Sequence, residues 1–249
     1  MKSWSLSKRE LRTTLGTLEQ DSAPYLTVYM QPSSFPISLE NAAPQAGSAL
    51  LDEVRDLATS PAVLQAARRY GTGAAVFWQQ DGTRLLILPP FPIETDTMSL
   101  GVPDTQPLHA LLDAPRTLGV VLAAWGSYAL GVVHEDRLLQ HRTGTGHIHK
   151  EHKKGGSSQK RFARRTEEQK KEFLRRMAAR LDEMFAPHRL DYVFFGGNRL
   201  ILRPLSALSS YLRSRPASLA PRILDVRHAD HRALVRSIAQ INEALAFTA

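Results

Sequence analysis

The chain has no cysteine among its 249 residues. That removes disulfides, thiolate nucleophiles and thiolate zinc sites together. No stretch approaches the ~18 uninterrupted apolar residues of a membrane span. The N-terminal residues Met1 to Glu10 lack the apolar central run of a secretory signal. The expected location is cytoplasmic, with no membrane partner. No Gly-x-Ser-x-Gly elbow, Walker-type Gly-Lys-Ser/Thr loop or Rossmann fingerprint occurs. Carboxylates are nearly missing from one long stretch, Gly144 to Arg165, where Glu151 stands alone.

That stretch is the most informative in the chain. Lys150, Lys153, Lys154, Lys160, Arg161, Arg164 and Arg165 face the single Glu151, and His147, His149 and His152 are interspersed. Gly144, Gly146, Gly155 and Gly156 are expected to free the backbone for positive φ and for close approach to another molecule. Ile148 and Phe162 are its only large apolar residues, so residues 144–165 are expected to form a long loop with no core of its own. The bland reading is a solvated basic linker; the sharp one is a polyanion-docking loop with a catalytic tip. The whole chain carries a formal net charge of +8, with 43% apolar residues, as in a globular protein that meets a polyanion.

Hydrophobic spacing predicts a helix from Ser3 to Leu18, a strand at Pro24–Met30, helices at Pro44–Thr59 and Pro61–Tyr70, and two strands around the Asp81-Gly82 turn. A short strand at Met98–Val102 and a helix at Gln106–Leu112 complete an N-terminal α+β module over 1–115. The second domain, 116–249, opens with strands at Thr117–Trp125, Ser127–Val133 and Leu138–Arg142. The basic loop follows. Thr166 is read as the cap of a helix running to Phe185, with Glu167 and Glu168 favoured by its dipole. Strands at Asp191–Phe195 and Arg222–Val226 alternate with a helix over Asn198–Leu212 and a closing helix over Asp230–Ala246. The order β-β-β, loop, α-β-α-β-α predicts a ribonuclease-H-like mixed five-stranded α/β domain.

A ribonuclease-H-like nuclease holds two metal ions on carboxylates, but Thr117–Trp125 contains no acid. The histidines can in principle hold zinc. The lysines crowding His147, His149 and His152 disfavour a cation, so these histidines are assigned to phosphate contacts; His228 and Asp230 are assigned to capping. No metal and no cofactor is expected. Gln159 remains. A neutral amide cannot accept a proton at pH 7. It can orient a water and donate to a developing oxyanion, through its side chain or its backbone N–H. Such a residue makes sense where RNA walls supply the rest of the site, as in the peptidyl-transferase centre of the ribosome.

Gly156-Ser157-Ser158-Gln159, followed by Lys160-Arg161-Phe162-Ala163-Arg164-Arg165, resembles the Gly-x-x-Gln tip of the Vms-like release factors, bacterial type. These are relatives of the eukaryotic and archaeal class-1 release factor, whose central domain carries Gly-Gly-Gln on a loop after three strands. The resemblance covers Pro115 to the C-terminus, and Pro24–Met30 with Gly73–Trp78 is similar to the family's N-terminal module. It implies a codon-independent hydrolase of peptidyl-tRNA on stalled ribosomes or large subunits, acting in rescue and quality control. Gln159 would be placed at the ester, with Gly155, Gly156, Ser157 and Ser158 shaping the tip. The partners implied are large-subunit rRNA and peptidyl-tRNA, for a monomer. No Asn-Ile-Lys-Ser-like codon reader is visible. No third domain, zinc finger or ankyrin segment is expected, and the resemblance does not imply recruitment of a release GTPase. Two other classes stay open: a ribosome- or tRNA-binding adaptor of Pelota-like type without chemistry, and a zinc hydrolase using the histidines.

Overall fold

A computed structural model describes residues 1–40, 48–148 and 157–249. In chain order the elements are β1 (Lys2–Leu6), α1 (Lys8–Glu19), β2 (Tyr25–Met30), α2 (Ile37–Glu40), α3 (Ser48–Ala58), α4 (Pro61–Tyr70), β3 (Ala74–Trp78), β4 (Arg84–Leu88), β5 (Thr97–Gly101) and α5 (Gln106–Asp113). There follow β6 (Thr117–Ala124), β7 (Ser127–His134), β8 (Arg137–Thr145), α6 (Ser157–Phe185), β9 (Tyr192–Gly197), α7 (Arg199–Leu208), α8 (Ser210–Ser214), β10 (Leu219–Leu224), α9 (His231–Ile241) and β11 (Ala244–Thr248). Two compact units result: Met1–Ala114 with Gln240–Ala249, and Pro115–Ala239.

The first unit is a six-stranded sheet in the order β1-β11-β4-β3-β2-β5, with every pairing antiparallel. Leu26, Val28, Val76, Trp78, Leu86 and Phe247 project to one face and pack on Leu51, Val54, Leu57 and Val63 of α3 and α4. The alternate residues Tyr25, Thr27, Tyr29 and Phe77 are buried on the other face, as the period of two requires. Near that face Glu19 of α1 accepts hydrogen bonds from Thr105 Oγ1 and from His109 Nε2 of α5.

Two elements here differ from the sequence reading. The first helix starts at Lys8, because Ser7 and Glu10 form a reciprocal capping box: Glu10 N–H donates to Ser7 Oγ and Ser7 N–H to the Glu10 carboxylate. Residues 2–6 are extended instead and pair with β11. The closing helix stops at Ile241, and Ala244–Thr248 enters the first sheet between β1 and β4. Pairing with two strands there outweighs the helical propensity of Ala244 and Leu245.

The second unit is a five-stranded mixed sheet in the order β10-β9-β6-β7-β8, parallel at β10/β9/β6 and antiparallel at β6/β7/β8. This is the mixed α/β sheet the element order predicts. Val121, Leu130, Val132, Val193 and Phe195 form one face and bury Phe173, Met177, Leu181 and Phe185 of α6, with Ile201, Leu205 and Leu212 behind them. On the opposite face Leu234 of α9 fits over Gly131. Asp230 starts α9 as expected, accepting from Ala233 N–H at 2.7 Å. No helix among the described residues is long and apolar enough to cross a membrane.

Candidate functional site

The candidate site is built where β8 ends and α6 begins, beside the β6–β7 turn. Trp125 at that turn tilts against Phe173 of α6, with ring centroids 6.4 Å apart. Tyr128 of β7 meets the same ring edge-on at 5.9 Å. Lys170 lays its ammonium 5.5 Å from the Trp125 ring centre, a cation–π contact that also covers the indole. Phe173 is thereby clamped between the strands, and α6 with it.

The outgoing strand is held by the same cluster. Gly146 N–H donates to Gly126 O at 2.9 Å, and Ile148 packs on the core of the unit. A Cβ on Gly144 would lie 2.3 Å from Tyr128, and one on Gly146 2.6 Å from Phe173. These two glycines make room for the unit's own aromatic rings, not for another molecule. They do not sit at positive φ, which corrects the sequence expectation for them.

The expected loop over 144–165 is also shorter than read. Gly144 and Thr145 belong to β8, and residues 157–165 belong to α6. Thr166, read as the helix cap, lies inside the helix and is buried at 3% exposure. The reason is local. Gln159, Lys160, Arg161, Ala163, Arg164 and Arg165 are all strong helix formers, and continuing the helix satisfies their backbone groups without an apolar stripe.

The sequence-predicted site residues distribute as follows. Ser157, Ser158, Gln159 and Lys160 form the first turn of α6, with only their backbone described. The first N–H groups of a helix have no intrahelical acceptor and carry its positive dipole end. Arg161, Arg164 and Arg165 are exposed on the next turns. His147 is exposed just past β8. His149, Lys150, His152, Lys153, Lys154, Gly155 and Gly156 lie outside the described residues, so the two glycines of the tip are placed by sequence alone.

Burial along α6 changes sharply at Thr166. Before it, every side chain that is described is exposed; from it onward Phe173, Leu174, Met177, Leu181, Met184 and Phe185 are buried. Arg164 Nε meets Glu168 at 3.1 Å, but both are exposed. Such a pair contributes about 0.3–0.5 kcal/mol and leaves the guanidinium available to a stronger anion. The C-terminal half is better neutralised. Arg175 and Arg176 face Glu172, while Arg180 and Arg142 share Glu183. Arg180, then Arg142, hold the Glu183 carboxyl below its ordinary range by hydrogen bonding and charge.

The charge of the chain is split between its units. The second unit holds 24 Lys/Arg against 11 Asp/Glu, whereas the first holds 8 against 13. All of the positive excess therefore lies in the unit that carries α6. Summing charge over the whole sequence conceals this, because the acidic first unit cancels part of it.

The family model of the Actinobacteria/chloroflexi VLRF1 release factor matches residues 116–245. Among solved structures, the chain is similar to an archaeal translation termination factor, aRF1, at 18% identity and a TM-score of 0.38, over 95% of this chain and 73% of that one. It is similar also to Pelota of Archaeoglobus fulgidus, at 9% identity and a TM-score of 0.34, over 96% of this chain and 61% of that one. No curated protein matches the sequence.

Proposed function

We propose, from the premise that this chain belongs to the Actinobacteria/chloroflexi VLRF1 release factor family, that it is a codon-independent release factor hydrolysing peptidyl-tRNA on stalled ribosomes or large subunits. The observation that carries this reading is the junction at Ser157–Thr166. The last three residues of a Gly-x-x-Gln motif open a helix whose next turns are exposed and cationic, and whose remainder packs into a core. That is the construction of a probe. Its base is rigid, its flank suits phosphate, and its tip carries a neutral amide.

The reaction consumes one water. Water oxygen attacks the ester carbonyl, the bond to the tRNA ribose oxygen breaks, and the proton lost by water ends on that oxygen. Gln159 takes no proton at any step. Its side-chain amide orients the water, and N–H groups at the start of α6 are suited to a developing oxyanion. Arg161, Arg164 and Arg165, with Lys150, Lys153, Lys154 and Lys160 as sequence neighbours, supply counter-charge to RNA phosphates. Gly155 and Gly156 precede α6 in the sequence and add no side chain to the tip.

Gln159→Ala separates delivery from chemistry. The variant is expected to bind large subunits like the parent while single-turnover peptide release falls by roughly 10²–10³, the loss seen when one oxyanion or water-orienting donor is removed. Unchanged release would overturn the catalytic role given to Gln159, and no release above background by either protein would assign the chain to a binding role without chemistry.

A further inference from the structure

A second feature of the same unit lies at the opposite end of α6. Residues 186–190, which follow the helix, and residues 214–218, which run from the last residue of α8, line an open concavity of about 630 Å³. His188, Arg189 and Arg215 are its ionisable residues, and no carboxylate lines it. Arg215 is held in place: Nη1 donates to the Tyr211 hydroxyl at 2.9 Å, and the guanidinium stacks 4.7 Å from the ring centre. Tyr211 itself is buried, and its hydroxyl donates to the carbonyl of His188. A guanidinium fixed this way has already lost much of its rotamer freedom, so less is lost when it binds an anion.

The same part of the sequence is rich in arginine. Residues 186–239 contain nine arginines, no lysine and three aspartates. Eight of the nine arginines are exposed, Arg222 being the buried one. None of these eight forms an ion pair among the described residues. This contrasts with Arg142, Arg175, Arg176 and Arg180 in the middle of the unit, each of which faces a glutamate. Of the eight, Arg189 and Arg215 line the concavity; two planar, always-charged forks without an acid partner, in an acid-free hollow, suit phosphodiester oxygens. At ~1.5 Å rise per residue, the 27 positions from Gln159 to Ala186 place the concavity roughly 40 Å from the tip. It cannot serve the phosphates that flank the tip.

We propose that this concavity, with Arg189 and Arg215 at its centre, is a second RNA-backbone site that grips ribosomal RNA of the large subunit at a distance from the reaction. The proposal rests on the function stated above. Two anchors about 40 Å apart on one stiff helix fix the direction of that helix, which a cluster at the tip cannot do alone.

The test is equilibrium binding of the full chain to vacant large ribosomal subunits across a salt series, with no hydrolysis in the readout. Arg189→Ala with Arg215→Ala is expected to weaken binding roughly ten- to fiftyfold near 0.1 M salt and to make the log–log salt slope shallower by about 1.4–1.8. Arg189→Lys with Arg215→Lys is expected to restore the slope but only part of the affinity. Arg68→Ala with Arg69→Ala removes the same charge from the first unit and is expected to change neither. Unaltered binding by the first pair overturns the proposal. So does an equal loss from the control pair, or a loss seen only with a free tRNA transcript. If the parent protein fails to bind large subunits at all, the functional reading itself is what fails.

Discussion

Gly146 lies against the ring of Phe173 so closely that a Cβ there would stand 2.6 Å from it. The contact joins the end of β8 to the first buried turn of α6, with Trp125 and Tyr128 closing on the same ring. Everything proposed for the tip depends on this base holding its place. Gly146→Ala forces the ring or the strand to move and is expected to cost about 1–3 kcal/mol, the usual range for overpacking a filled core. Urea unfolding of the variant measures it. A midpoint equal to the parent's would mean that the junction is loose.

Phe247 makes a corresponding claim for the first unit. It lies at 3% exposure on β11, between β1 and β4, in the cluster with Trp78 and Val54. Phe247→Ala is expected to destabilise that unit by about 3–5 kcal/mol, as loss of a buried aromatic does. Hydrogen exchange should show the loss in residues 1–114 and leave β6, β7 and β9 protected. Loss of protection confined to the second unit would contradict the placement of the C-terminal strand.

Asp182 ties α6 to α8, accepting from Ser209 Oγ, from Ser210 N–H and Oγ, and from Tyr211 N–H. Partial burial pushes its carboxyl upward, but these four donors outweigh burial and hold it below its ordinary value of 3.8. A lowered carboxyl pKa stabilises the fold above the unfolded value, and the contribution disappears as pH falls through the folded one. Asp182→Asn should therefore cost about 1–2 kcal/mol near pH 7, a figure kept low because the group is partly solvated. The gap between parent and variant should narrow as pH drops below about 4. Melting curves from pH 7 to pH 3 follow it; a gap that stays constant would mean that the ionised form is not what the donors favour.

How much of this was legible beforehand depended on the range of the interactions. The second sheet was readable because Thr117–Ala124, Ser127–His134 and Tyr192–Gly197 are buried apolar runs bounded by turns. Lys2–Leu6 is a strand although Leu6, Leu11, Leu15 and Leu18 share a helical spacing, because its partner lies some 240 residues away at Ala244–Thr248. Local pattern carries no trace of such a pairing. The glutamates after Thr166 resemble a first turn, but the helix formers from Gln159 to Arg165 signal the earlier start that α6 has. Gln159 and its basic flank were evident from composition. The pairing of Arg189 with Arg215 is not evident there, since only folding brings the two into one acid-free concavity.

The central claim is that RNA forms the reaction chamber and this chain delivers the amide of Gln159 to it. Single-turnover hydrolysis of one peptidyl-tRNA, presented on large subunits and free in solution, tests that claim most directly. The account predicts release on the subunits, at least ~10²-fold slower with Gln159→Ala, and none above background from the free ester. Equal hydrolysis of the free and the subunit-bound substrate would contradict it.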